Sequence, residues 1–506
     1  METGDGNWRW KLAMYSKEIC ERARLARDSR FDGQFFVGVL TTGIYCRPIC
    51  PAVPPKSENV SFYPSAASAG EAGFRPCLRC RPECAPGTPA WSGSSTTVRR
   101  GLKLIAGGAL DDGDVEQLSD RLGVTSRHLR RLFTKHLGAS PLAVAHTQRL
   151  HFAKRLIDET ALSMGHISSA AGYGSVRRFN DTFKNTYGRT PRELRKVGDE
   201  SKKGDNEATL SVRLPYRKPF SWSAMLEFFA GRATPGVESV AENSYRRTVS
   251  VGGKHGVMAI SPAKQSGYLV LTLTCVETGA LFEIVQRSRE VFDLDAPIDG
   301  ITTTLKRDEA LRGLIKKSPG IRVPGAWDGF ELAIRAILGQ QISVKAATTL
   351  AGRIADRYGE KLSLSFESTD TGLSRIFPTA ERLIRARFNN IGLVTSRAET
   401  IRRVAAAVVN GDLSFDVAQE PEDFCGRLTA IKGVGDWTAQ YVAMRVLKNP
   451  DAFPSTDLGL LKAFGSIENQ GEQSTPTELL RRAEAWRPWR AYAALLLWSS
   501  LANSGG

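Results

Sequence analysis

Two neighbouring stretches decide how the C-terminal half of this chain folds: Leu428–Tyr441, LTAIKGVGDWTAQY, and Phe453–Leu460, FPSTDLGL. The first keeps helical spacing up to about Ile431 and resumes it around Thr438, with Gly433 and Gly435 between. The spacing predicts two helices joined by a tight turn. Glycine lets backbone amides approach an anion with no Cβ in the way, and the next helix's N-terminus favours negative charge. Gly433 and Gly435 are therefore candidates for gripping a phosphate, and the hairpin is a candidate seat for a monovalent cation. In the second stretch Asp457 follows Ser-Thr, where an isolated aspartate suits a helix N-cap. Placed just after the hairpin, it is also a candidate catalytic carboxylate. Trp437, Tyr441 and Trp498 stand on predicted helices that could line one cleft; plain core packing would serve them equally.

Around this pair the chain from about Pro324 onward is helical, with Gly/Pro punctuation and no strand runs. Upstream, LSVRLP, RRTVSV and YLVLTLTC alternate or carry β-branched runs from Thr209 on, and LFEIVQRSREVFD has an amphipathic helical period. These predict a small antiparallel sheet with helices over 209–320 and an all-α region over 321–506. A charged, aromatic-free stretch, Gly198–Ala208, reads as a linker.

Residues 98–197 are dense in Arg and Leu at helical spacing. Val115–Leu122 reads as a short helix, Gly123 as its turn, and Thr125 as the cap of a second helix, Ser126–His136. The pattern returns with His166–Ala171, a turn at Gly172–Tyr173, and Ser175–Tyr187. The second helices carry Arg127 and Arg130 in one copy and Arg177 and Arg178 in the other, suiting a major groove flanked by phosphates. An ordinary basic helical bundle is the plainer reading.

Ala85–Thr97, APGTPAWSGSSTT, reads as a first linker, and residues 1–90 precede and overlap it. Of the chain's eight cysteines, five fall between positions 46 and 84, namely Cys46, Cys50, Cys77, Cys80 and Cys84, and the others are Cys20, Cys275 and Cys425. Cys46-x3-Cys50 and Cys77-x2-Cys80 have the spacing of a tetrahedral zinc site, and Cys80-x3-Cys84 makes Cys84 a competing ligand. From spacing alone, a closed structural zinc site is favoured.

The chain has 506 residues and a formal net charge of +16. A protein this basic meets polyanions, nucleic acid first. The longest apolar run, about Ala491–Trp498, falls short of the ~18–20 residues a membrane span needs. Met1–Trp10 has acidic residues and no apolar core, so no secretory peptide is expected. The location expected is cytoplasmic, associated with the bacterial nucleoid, with double-stranded DNA and no membrane as partner.

Three resemblances sharpen this reading. TTGIYCRPIC (Thr41–Cys50), ENVSFY (Glu58–Tyr63) and GFRPCLRC (Gly73–Cys80) resemble the N-terminal zinc domain of the Ada family. That implies that Cys46 accepts a methyl group from a DNA methylphosphotriester, that Cys50, Cys77 and Cys80 complete the zinc site, and that Thr42 and Arg75 contact DNA. Four thiolates about Zn²⁺ carry a formal charge of about −2, and methylation leaves about −1, which would raise DNA affinity. Basic residues expected after the second cysteine are replaced by Pro51 and Val53. The two helix pairs, closing with YGRTPRELR (Tyr187–Arg195), resemble the AraC-type DNA-binding domain, which implies transcription activation with RNA polymerase as a further partner.

From about Leu214 to Ala502 the chain resembles 3-methyladenine DNA glycosylase II of the AlkA type. The match runs through WSAMLEFFAGRATPGVESV (Trp222–Val240), FELAIRAILGQQISVKAA (Phe330–Ala347) and WRPWRAYAALLLW (Trp486–Trp498). It implies a half-TATA-box-binding-like sheet domain and a helix-hairpin-helix domain of the HhH-GPD superfamily. It also implies Asp457 as catalytic carboxylate and Trp437, Tyr441 and Trp498 as an aromatic pocket for cationic alkylpurines such as 3-methyladenine and 7-methylguanine. Gln341 stands where some members place a leucine wedge. Trp437 stands where bifunctional relatives carry lysine, so a monofunctional enzyme is expected. No cysteine follows Cys425, so no iron–sulfur cluster is expected. The PCHR motif of alkylguanine transferase domains is absent.

The resulting expectation is a multidomain protein, mainly α with α+β parts. It comprises a small four-cysteine zinc α/β domain, an all-α double helix-turn-helix, a sheet domain and a glycosylase. Three rivals stay open: a regulator whose glycosylase fold only grips DNA, an inert structural zinc site, and a glycosylase for oxidised or mismatched bases.

Overall fold

A computed structural model describes residues 15–85, 96–111, 113–195, 209–274, 278–362, 372–416, 419–468 and 474–502. The segment Met1–Trp10, Cys275 and the linker Gly198–Ala208 lie outside the described residues, as does most of the linker Ala85–Thr97. The chain divides into two compact units, Met1–Lys202 and Lys203–Gly506. Among the described residues no helix is long and apolar enough to cross a membrane.

The first unit opens with α1 (Lys17–Leu25), capped by Ser16, whose side chain accepts from the Ile19 N–H. A four-stranded sheet follows, in the order β3 (Val60–Tyr63), β1 (Phe36–Val39), β2 (Ile44–Cys46), β4 (Arg75–Pro76), with β4 parallel to β2 and the other pairs antiparallel. Side-chain alternation splits its core in two. Phe35 and Val37 pack with Cys20, Ala23 and Val60; Phe36 and Tyr45 pack with Ala66 and Ala69 of α2 (Ala66–Glu71).

The helical part of this unit runs α3 (Thr96–Ala106), α4 (Val115–Arg121), α5 (Ser126–Leu137), α6 (Pro141–Glu159), α7 (Met164–Ala170), α8 (Val176–Tyr187) and α9 (Pro191–Leu194). The linker expected to reach Thr97 ends sooner, because Thr96 and Thr97 already belong to α3. Each helix pair is set by its polar caps. Asp114, Thr125, Ser163 and Ser175 accept from backbone N–H groups at the starts of α4, α5, α7 and α8. One buried stripe per helix, Leu129, Phe133 and Leu137 on α5 and Phe179, Phe183 and Tyr187 on α8, turns the opposite face outward.

The second unit begins with a five-stranded antiparallel sheet ordered β5 (Thr209–Pro215), β9 (Tyr268–Thr274), β8 (Lys254–Pro262), β7 (Ser244–Val251), β6 (Glu238–Ala241). Two of these strands, β6 and β8, went unpredicted: β6 is only four residues long, and Gly256, Met258, Ala259 and Pro262 dilute the β signal of KHGVMAISP in β8. The stretch Trp222–Val240, expected to belong to the sheet domain, supplies a helix, α10 (Trp222–Ala230), and then enters the edge strand β6. Leu281–Val291 forms the predicted amphipathic helix, α11.

The helices that follow are α12 (Ile298–Leu305), α13 (Glu309–Lys317), α14 (Gly329–Leu338), α15 (Val344–Tyr358), α16 (Ala380–Ile384), α17 (Thr395–Val409), α18 (Pro421–Thr429), α19 (Asp436–Arg445), α20 (Leu458–Glu468), α21 (Pro476–Ala483) and α22 (Arg490–Ala502). The expectation of no strands beyond Pro324 is corrected by a two-residue pair, β10 (Glu360–Lys361) with β11 (Arg375–Ile376), too short to show any period. α14 is buried along almost its whole length, Phe330 to Leu338, and serves as the hub of this helical body.

Candidate functional site

The hairpin is α18–turn–α19; α18 ends at Thr429 and α19 begins at Asp436, so the turn is as long as the sequence suggests but sits about two residues earlier. Gly433 has φ +98°, and a Cβ there would stand 2.0 Å from Oγ1 of Thr400 on α17. This glycine is required by its own backbone and by close packing. Gly435 is the N-cap of α19, exposed, with open space where a Cβ would point, which suits approach by a large anion. Gln340 fixes the turn from outside: its side-chain amide donates to the Gly433 carbonyl at 3.2 Å and to Thr438 Oγ1 at 3.0 Å. Next to it Gln341, exposed with φ +58°, sits at the α14–α15 loop.

Beside the hairpin opens a cleft of about 1000 Å³. Its lining includes Gln341, Gly435, Trp437, Tyr441, Asp457 and Trp498, so six residues expected from sequence meet there. Gly433 lies outside the lining. The half-buried Asp457 caps α20, with Oδ1 accepting from the Leu460 N–H at 2.9 Å. The same carboxylate accepts from Trp437 Nε1 on Oδ2 and from Trp498 Nε1 on Oδ1, both at 2.8 Å. Cap and candidate catalyst, alternatives in the sequence, are one group in the structure. Hydrogen bonds to a charged acceptor contribute about 1.5–3 kcal/mol each, so three donors fix this carboxylate firmly. Gly459 makes the closeness feasible: a Cβ there would lie 3.0 Å from Asp457 Oδ1 and 3.4 Å from the Trp498 ring.

Trp437 and Tyr441, one helical turn apart on α19, stack at 5.2 Å with 7° between planes, and Trp498 meets Tyr441 edge-on at 6.4 Å. Sequence reasoning missed the cationic wall behind them. Arg445, four residues beyond Tyr441, is buried and donates to the Tyr441 hydroxyl at 2.7 Å and to the carbonyls of Pro324 and Gly325 at 2.9 and 2.8 Å. The i,i+4 spacing was the available signal. Arg232, just after α10, and Arg335 of α14 also line the cleft. Burial alone would raise the Tyr441 hydroxyl; Arg445, Arg232 and Arg335 together bring it below the ordinary tyrosine value.

In the first unit the Sγ atoms of Cys46, Cys50, Cys77 and Cys80 all lie within 4.8 Å of one another. A tetrahedral Zn–S₄ centre needs S···S separations of about 3.8 Å, given Zn–S near 2.3 Å, so the donor set fits zinc. Cys46 ends β2, and Cys77 follows β4, its N–H donating to the Tyr45 carbonyl at 3.0 Å. The backbone N–H of Arg47 donates to Cys80 Sγ at 3.3 Å, while its guanidinium pairs with buried Asp32 and donates to the Cys80 carbonyl. Cys84 is buried away from this group, so the competing ligand is set aside. Cys46 and Cys50 are the more accessible pair, Cys77 and Cys80 the buried one. Thr42 and Arg75 are exposed neighbours, because the Arg75 N–H donates to the Gly43 carbonyl at 2.9 Å.

The zinc segment packs against α6 and the end of α5. The Tyr45 hydroxyl meets His151 Nε2 at 2.8 Å, Arg81 pairs with Asp158 at 2.8 Å, and Ser65 donates to the Leu137 carbonyl at 2.7 Å. Burial, with Arg155 adding, pushes His151 down to about 4. On the helix-turn-helix pairs Arg127, Arg130, Arg177 and Arg178 are all exposed, Arg130 making a surface contact to Glu116 at 3.3 Å.

Four family models match the chain. They are the metal binding domain of Ada over residues 19–83, a helix-turn-helix domain over 118–197, the AlkA N-terminal domain over 211–328, and the HhH-GPD superfamily base excision DNA repair protein over 334–489. A Mycobacterium tuberculosis protein called "Probable bifunctional transcriptional activator/DNA repair enzyme AlkA" is 40% identical over 486 residues, 96% of this chain and 96% of that one. DNA-3-methyladenine glycosylase 2 of Escherichia coli is 34% identical over 288 residues, 56% of this chain and 95% of its own. The solved structure of 3-methyladenine DNA-glycosylase from Archaeoglobus fulgidus matches with a TM-score of 0.52 at 24% identity, over 58% of this chain and 99% of that one, a likeness of fold.

Proposed function

Because this chain belongs to the family of bifunctional transcriptional activator/DNA repair enzymes of the AlkA type, we propose that it removes alkylated bases of the 3-methyladenine and 7-methylguanine kind from DNA. The observation that carries the reading is the Asp457 carboxylate, held by two indole N–H groups at the wall of a cleft with room for an everted nucleotide. An everted nucleotide enters the cleft, Gln341 fills the gap it leaves, and the exposed Gly435 end of the hairpin receives a backbone phosphate. The bond from the sugar C1′ to the base breaks with its electron pair going to the base. Asp457 stabilises the positive charge that builds on the sugar, and water adds there with loss of a proton, leaving an abasic site. No lysine is among the described residues lining the cleft, so the proposed enzyme is monofunctional and does not nick the strand.

In the zinc segment Cys46 is the proposed methyl acceptor. Its sulfur attacks the methyl carbon of a methylphosphotriester; the S–CH₃ bond forms as the C–O bond breaks, and the electron pair stays on the phosphate oxygen. The metal, when bound by the four cysteines, keeps the thiolates deprotonated at neutral pH. Thr42 and Arg75 position the strand, and the exposed arginines of α5 and α8 engage promoter DNA, with RNA polymerase as the activator's partner. A single zinc ion, a monovalent cation at the hairpin, a cytoplasmic location and a division at 1–90, 98–197, 209–320 and 321–506 complete the proposal.

Two assays test it. Incubation with methylated duplex DNA should release free 3-methyladenine, detected by chromatography, and leave alkali-labile sites in otherwise unbroken strands. Mass spectrometry after exposure to methylphosphotriester DNA should find one added methyl on Cys46. No free base overturns the glycosylase, and an unmodified Cys46 overturns the methyl transfer.

A further inference from the structure

The two helix pairs are copies of one device, and their differences are as informative as their likeness. α5 and α8 each run 12 residues. Thr125 caps the first and Ser175, fifty positions on, the second, each accepting from the N–H three residues ahead, at 3.3 and 3.2 Å. Each ends on a left-handed glycine, Gly138 and Gly188. The buried stripes, Leu129, Phe133 and Leu137 against Phe179, Phe183 and Tyr187, keep the same offset. The two outward faces therefore compare residue by residue.

They differ where DNA would lie. Arg127 and Arg177 match, both exposed. At the middle of the face, opposite the buried stripe, α5 presents Arg131 and α8 presents Asp181, both exposed. α5 carries no acidic residue along its whole length, and Asp181 has no ion pair among the described residues. At the opening turn α5 has Ser126, whereas α8 has Val176, 43% exposed on a helix that buries its other apolar side chains. Each contrast has a reading in the chemistry of the major groove. Phosphates and the guanine edge offer acceptors, which suit a face of cations. A carboxylate is itself only an acceptor, so those groups repel it and it suits an edge that donates, the N4 amino group of cytosine. An exposed apolar side chain at the N-terminal turn of a recognition helix gains by covering a thymine methyl.

We propose that the two pairs divide the work: α5 anchors the chain on phosphates whatever the sequence, and α8 reads the sequence, with Val176 on a thymine methyl and Asp181 on a cytosine amino group. The inference rests on both helix pairs binding DNA, and it names the chemistry of the site they take, a half-site under α8 that holds a thymine and a cytosine. Phosphate contacts set affinity and its salt dependence, while base contacts decide which duplex is kept. Asp181 serves discrimination, because a duplex with no donor at that place leaves its carboxylate facing acceptors, a loss in place of a gain.

The test uses the full chain carrying Asp457→Asn, so that no base is removed during binding. Duplexes with a randomised central segment are selected at physiological salt by this parent and by its Val176→Ser, Asp181→Asn and Arg131→Gln versions. Val176→Ser, which copies α5, should lose one thymine position from the selected motif, and Asp181→Asn should lose one cytosine position. Arg131→Gln should select the parent's motif while weakening every duplex alike, with the salt slope of log affinity lower by about one. On the selected duplex, deoxyuridine in place of that thymine removes only the methyl. Binding should then weaken about three- to fourfold for the parent and stay level for Val176→Ser. A motif unchanged in either α8 version, or altered by Arg131→Gln, overturns the division of work and leaves DNA binding by the helix pairs standing. Equal binding of the thymine and deoxyuridine duplexes by the parent does the same. If Arg127→Gln and Arg177→Gln together leave both affinity and motif at the parent's values, the helix pairs do not bind DNA, and the underlying reading fails with the inference.

Discussion

The two candidate centres hold negative charge by opposite means. In the first unit four thiols crowd within 4.8 Å of one another, with few donors around them, the Arg47 amide at Cys80 being one. As thiolates such a group repels itself and holds together only around a cation. In the second unit a single carboxylate is held by three N–H donors and needs none. The donors also differ in origin. The cysteines come from two short segments at the ends of neighbouring strands of one small sheet, whereas Asp457 is served by residues 20 and 41 positions away. A centre built locally around a metal should fail all at once when the metal goes. A centre built from distant donors should lose function in steps.

The largest effect separates them outright. Stripping the metal with a chelator should abolish methyl acceptance at Cys46 and melt the zinc segment, seen as lost ellipticity and an earlier first unfolding transition, while base release from methylated DNA persists. Loss of both activities together would erase the contrast. Next, Trp498→Phe removes one donor from Asp457 while keeping a ring. Single-turnover base release should fall about 10–100-fold, as for a hydrogen bond to a charged group, with methyl transfer untouched. A wild-type rate would mean that the indole only fills space.

A pH effect sharpens the comparison from the other side. The folded first unit keeps His151 neutral, held near 4 against about 6.5 when unfolded. The unfolded chain therefore binds the extra proton between those values. This stability is present above about pH 6.5 and is lost as pH falls toward 4, roughly 3 kcal/mol in all. Denaturant melts should show the first transition weakening over that window, and His151→Gln should flatten the slope. Smallest, Gly433→Ala forces a Cβ onto Thr400 at φ +98° and should cost the second unit about 1–3 kcal/mol, with weaker binding to undamaged duplex and no change at the cysteines. Unaltered stability there would show that the turn yields easily.

Legibility followed the same division. The zinc ligands could be read from spacing because donors three and four positions apart carry their geometry with them; excluding Cys84 took the fold. The helix pairs were legible from caps and Gly turns, since both are local devices. Asp457, Trp437, Tyr441 and Trp498 were visible as residues and as a resemblance, yet the bonds among them were not, because nothing in a sequence states that two indole N–H groups converge on one carboxylate. Arg232 was overlooked for a related reason: it lies after α10, about two hundred residues from the hairpin, and only tertiary packing brings it to the cleft. Strand β8 was missed where Gly, Ala, Met and Pro blur the period, β6 because four residues are few, and β10 and β11 because two residues leave no period at all.

The central claim, that Asp457 performs chemistry and does more than cap a helix, is tested most directly with Asp457→Asn on a duplex carrying one 7-methylguanine, measuring DNA affinity and single-turnover base release side by side. Asparagine keeps the cap and the shape of the cleft. The account predicts affinity within a few-fold of wild type and release reduced by at least about a hundredfold. Release at the wild-type rate with affinity intact would contradict it and leave the second unit a fold that only grips DNA.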